Sequence, residues 1–243
     1  MRSRQHGFSL IEIAIVMFVI VLLVGSVLAP LAAQIDQRHV SDTQKYLDEI
    51  REALTGYAAA NGRLPCPASP GSAGVEDPSG GGTCAINYNG FIPAVTLGIS
   101  VVDSQGFAVD PWGNRIHYAV TNSNGNAFTT ANGMSTATLS ALAPNLLICS
   151  TATGISASSC AAGTALTTGV PAIIYSIGKN GGYGGTGVDE AANPNPNSAN
   201  NDRVFVSHVP TPASAPNGEF DDIMTWVSAN VLYNRMISAG RLP

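Results

Sequence analysis

The chain has 243 residues and a mass of 24.9 kDa, room for one long anchoring element and one globular domain with its own core. With 11% charged and 45% apolar residues it is not a disordered polyelectrolyte, and 11 Lys and Arg against 16 Asp and Glu (net charge −5) exclude a broad nucleic-acid-binding face. Four cysteines behind an export-like N-terminal segment fit an oxidising compartment and permit two disulfides.

The first seven residues carry Arg2 and Arg4 and no acid, and the chain then turns abruptly apolar. From Phe8 to Ala33 the only ionisable side chain is Glu12, and the stretch 13–33 would span about 31 Å as a helix, the thickness of a bilayer core. The basic flank places the N-terminus in the cytoplasm and everything after Ala33 outside it. A secretory signal has a shorter apolar region of about 7–15 residues. In a plain uncleaved anchor Glu12 is unfavourable, since a carboxylate at the centre of an apolar span costs roughly 2.5–3.5 kcal/mol, less near the end.

Gly7-Phe8-Ser9-Leu10-Ile11-Glu12 resembles the leader junction of type IV pilins and type II secretion pseudopilins: a short basic leader, a glycine, a phenylalanine, and glutamate as fifth residue after the cut. The resemblance implies that a prepilin peptidase cuts after Gly7 and that Phe8 becomes N-methylated. It implies that the apolar helix first anchors the chain in the bacterial inner membrane, with the head in the periplasm, and later forms the core of a pilus or pseudopilus. Expected partners are membrane lipid, the peptidase, the inner-membrane assembly platform and other pilins or pseudopilins. Cutting there creates an α-amino cation four residues from Glu12, about 6 Å along the axis. A neighbouring subunit's Phe8 amine could then pair with Glu12 in a dry setting, making the carboxylate a register key.

After Pro30, which should kink the helix, Leu47, Ile50, Leu54 and Tyr57 fall on one face at helical spacing, with charged residues between them. Asn61-Gly62 and the prolines at 65 and 67 end the pattern, so one helix is expected from about Phe8 to Ala60. The expected layout is a leader over 1–7, a transmembrane and filament-core helix over 8–33, its amphipathic half over 34–60, and a head over 61–243.

Within the head, Cys66 and Cys84 bracket one irregular loop and Cys149 and Cys160 another. Four cysteines allow three connectivities, of which the local pairs Cys66–Cys84 and Cys149–Cys160 are expected; no Cys-x-x-Cys spacing points to a metal. Strands are expected at 115–120, 146–149, 172–177 and 203–209. The stretch 223–228 is ambiguous, a short helix is expected at 229–238, and 121–145 and 150–170 read as variable excursions. Asp110-Pro111-Trp112-Gly113-Asn114 is similar to a segment of major pseudopilins that leads into the head sheet. The longer head, with inserts and two cysteine pairs, suits a minor pilin-like subunit. The expected fold is α+β, a long N-terminal helix packed on a small antiparallel sheet with long loops.

Gly182–Gly187 fits G-x-G-x-x-G, but no helix follows, which rejects a dinucleotide site. A single G-G-x-G-x-D unit at 184–189 cannot make a calcium β-roll. The stretch Ser176, Gly178 and Gly181 followed by acids resembles the calcium loop of major pseudopilins, which implies Asp189, Glu190 and Asp202 as candidate ligands. A solvated Gly/Asn loop is the other reading. Asp221-Asp222 reads as a cap, Trp112 and Trp226 as core, and the histidines are scattered. No nucleophile or metalloprotease motif occurs, so a structural subunit rather than an enzyme is expected. The alternative is a periplasmic binding module or enzyme on an uncleaved anchor.

Overall fold

A computed structural model describes residues 9–181, 187–193 and 202–242, the side chains of 26–32 excepted. Two compact units divide between Ser41 and Asp42. The first is the N-terminal part of helix α1 (Leu10–Asn61), in which every side chain from Ser9 to Gly25 is exposed, Leu10 and Phe18 among them. The helix is assigned without a break through position 30, because a proline removes one ladder bond without having to end a helix.

The second unit starts within α1, where the apolar spacing acquires a partner. Leu47, Ile50 and Leu54 are fully buried and Tyr57 is half-buried. Helix α1 closes where Gly62, in the left-handed region at φ +72°, donates its N–H to the Ala58 carbonyl at 2.8 Å. Four antiparallel strands then form one sheet in the order β1 (Gly90–Phe91), β2 (His117–Val120), β5 (Ala172–Ser176), β7 (Ile223–Val227). Along β5, Ala172 and Ile174 join the cluster of Leu47, Ile50 and Leu54, whereas Ile173 and Tyr175 join a second cluster. Burial on both faces explains why this strand reads as an unbroken apolar run rather than an alternation.

The second cluster is completed by Leu146, Ile148 and Phe205 of a second sheet, in the order β4 (Ala165–Val170), β3 (Leu146–Cys149), β6 (Val204–Val206). Here β3 runs antiparallel to β4 but parallel to β6, so the head is more than one antiparallel sheet. Strand β4 lies in a stretch expected to be an excursion. Its side chains are mostly exposed, and pairing with β3 rather than a hydrophobic pattern makes it a strand. The ambiguous stretch 223–228 resolves as β7, and helix α5 (Ala229–Ser238) buries Leu232 and Met236 in the first cluster. Short helical turns α2 (Ala94–Leu97), α3 (Ser123–Asn126) and α4 (Gly133–Thr136) sit in the connections. Trp112 and Trp226 are half-buried, packed against the first and second clusters respectively.

Both local disulfides are formed: Cys66–Cys84 with Cα atoms 5.3 Å apart, and Cys149–Cys160 at 5.6 Å. Arg63, just before the first disulfide loop, and Glu76 within it make a buried bidentate pair at 2.8 and 2.7 Å. Glu76 also accepts the N–H groups of Cys66 and Gly80. Burial pushes the Glu76 carboxyl up, but Arg63 and the Cys66 and Gly80 amides outweigh it and hold the group below the usual carboxylate range.

Candidate functional site

Gly7 and Phe8 lie outside the described residues. Immediately after them, Ser9-Leu10-Ile11-Glu12 folds as the first turn of α1: the N–H groups of Glu12 and Ile13 donate to the Ser9 carbonyl at 3.0 and 3.2 Å. The Glu12 carboxylate turns back to accept the Ser9 N–H at 3.4 Å. This is half of a capping box, and it satisfies one of the donors that a helix start leaves unpaired. Glu12 therefore has a local structural duty that the sequence reading did not assign it. The Ser-x-x-Glu spacing carried that signal.

In the head, the turn at 110–114 and the end of β5 form one bonded unit. Buried Ser176 donates its hydroxyl to Asp110 Oδ2 at 2.6 Å and accepts the Gly178 N–H at 3.1 Å. Asp110 Oδ1 accepts the N–H groups of Trp112 and Asn114, and Asn114 Nδ2 donates to the Gly178 carbonyl at 2.6 Å. Burial raises the Asp110 carboxyl despite these donors.

Gly178, at φ +65°, brings this unit against Asp221, for a Cβ there would lie 2.1 Å from Asp221 Oδ1. Asp221 Oδ2 accepts the Lys179 and Asn180 N–H groups at 2.8 and 3.1 Å. Glu190 accepts the Asp221 N–H at 2.8 Å and the Asn180 side-chain amide at 3.0 and 3.1 Å. Carboxylate oxygens of Glu190, Asp221 and Asp222 lie within 4.8 Å of one another. Burial foremost, with Glu190 close by, pushes Asp221 up to about 6; burial, together with the Glu190 and Asp221 charges, pushes Asp222 up to about 8. Asp221 Oδ1 and Asn180 Oδ1 are buried acceptors without a hydrogen-bond donor among the described residues. Three gathered carboxylates, one with an unmet oxygen, form the kind of donor set that a hard cation takes.

A family model described as the prokaryotic N-terminal methylation motif matches residues 2–28, a stretch that contains Gly7, Phe8 and Glu12. The chain carries the type IV pilin and pseudopilin signal. No curated protein and no solved structure matches the chain. An N-terminal methylation motif and an α+β head are the features this match and the fold show. Among the described residues no helix is long and apolar enough to cross a membrane; the span expected at 8–33 includes Phe8 and the side chains of 26–32, which lie outside them.

Of the three ligands the calcium-loop resemblance implied, only Glu190 is in the carboxylate cluster. The Asp189 carboxylate is engaged by the Ala152 N–H, Thr151 Oγ1 and Asn217 Nδ2, and by His208 Nε2 at 3.2 Å. Burial raises that carboxyl, but Ala152, Asn217, Thr151 and His208 together hold it below its ordinary range. Asp202 turns one oxygen to the Val204 N–H at 3.2 Å. The other two carboxylates of the cluster are Asp221 and Asp222, expected only as a cap, with Asn180 donating its side-chain amide to Glu190. Residues 182–186 and 194–201, which hold most of the glycine motifs and the following insert, lie outside the described residues. Of the histidines, His117 is buried and stacked on Tyr175 at 4.9 Å, and burial pushes it down to about 4.

Proposed function

We propose that this chain is a structural subunit of a type II secretion pseudopilus or type IV pilus. It is cut after Gly7, methylated on Phe8, held in the inner membrane by the apolar half of α1, and built into the filament through that helix. The single observation that carries the reading is the methylation motif over 2–28 placed directly on the start of an exposed apolar helix. Exposed leucines, isoleucines, valines and Phe18 over 10–25 are unfavourable in water and favourable in lipid or among neighbouring helices.

In this reading Glu12 pairs with the freed Phe8 amine of a neighbouring subunit. Its cap on Ser9 makes the choice of variant decisive. Glu12→Gln keeps an acceptor for the Ser9 N–H but removes the charge, whereas Glu12→Leu removes both. Loss of filament assembly in both variants, with normal leader removal, is the expected result. Normal assembly of Glu12→Gln, with failure of Glu12→Leu alone, would reduce Glu12 to a helix cap.

The carboxylate cluster supports a second function, a calcium site held by Glu190, Asp221 and Asp222. The observation favouring it is the buried Asp221 Oδ1, without a donor among the described residues, on one of three gathered carboxylates. Thermal melting of the full chain in detergent, in calcium and then in EGTA, tests it. Calcium should raise the melting temperature of the parent and leave Asp221→Asn unmoved; equal responses, or none in the parent, would contradict the site.

A further inference from the structure

We draw no further inference here: the strongest candidate, the groove of about 500 Å³ that Gln44, Asp48 and Arg51 of α1 form with Thr225 and Trp226 of the edge strand β7, is an unpartnered sheet edge, and nothing in the structure shows what covers it.

Discussion

Two stretches of the same helix follow different rules. Over 10–25 the side chains of α1 are apolar all round apart from Glu12, and all are exposed; over 47–57 apolar residues keep to one face, and that face is buried. Periodicity is what matches a helix to one protein surface, with water on the other side. Continuous apolarity matches it instead to an environment without water on any side. On the proposed reading, the head's stability and the chain's assembly reside in separate parts of α1, so substitutions should affect one and spare the other.

The largest effect on the head is expected at the buried ion pair. Arg63→Ala leaves Glu76 buried without its cation and should lower the stability of the head by about 3–5 kcal/mol in denaturant unfolding. Because Glu76 titrates lower in the folded state than in the unfolded one, its stabilisation is present above the unfolded carboxylate range. It is lost as pH falls through the folded value. The parent should therefore lose stability on acidification with a steeper slope than Glu76→Gln, measured by melting at stepped pH.

Next in size, Leu54→Ala on the buried face should lower head stability by about 2–5 kcal/mol. Removing either disulfide by paired Cys→Ser substitution should cost about 3 kcal/mol by the loop-entropy account. The Cys66–Cys84 pair, which closes 18 residues, should cost slightly more than Cys149–Cys160, which closes 11. The smallest effect is expected in the exposed stretch: Val19→Ala should change head melting by less than about 0.5 kcal/mol. A large loss there, or none at Leu54, would erase the contrast between the two stretches.

Much of the fold was legible because its signals were local. The burial of Leu47, Ile50 and Leu54, the strand at 146–149 and the helix at 229–238 follow from spacing and apolar runs. Strand β4 was not legible, since Ala-Leu-Thr-Thr-Gly-Val shows its side chains mostly to solvent and owes its form to a neighbour. The parallel β3–β6 pairing was hidden for a different reason: buried apolar runs mark strands but name neither their partner nor their direction. At the leader junction the sequence carried the motif itself, and the Ser-x-x-Glu spacing also carried the Ser9–Glu12 cap, which the motif reading passed over. The carboxylate cluster was only half legible. Glu190 stood beside the glycine motif, but its partner Asp221 comes 31 positions later, beyond an insert of uninformative composition. Proximity in sequence pointed instead to Asp189, whose oxygens are taken by Ala152, Thr151, Asn217 and His208.

The most direct measurement is the N-terminus of the chain as it is found in the bacterial membrane, read by intact-mass and peptide mass spectrometry. The account predicts a chain that begins at N-methylated Phe8, with residues 1–7 absent. A native chain still beginning at Met1, or one cut near Ala33 with its apolar helix gone, would contradict it.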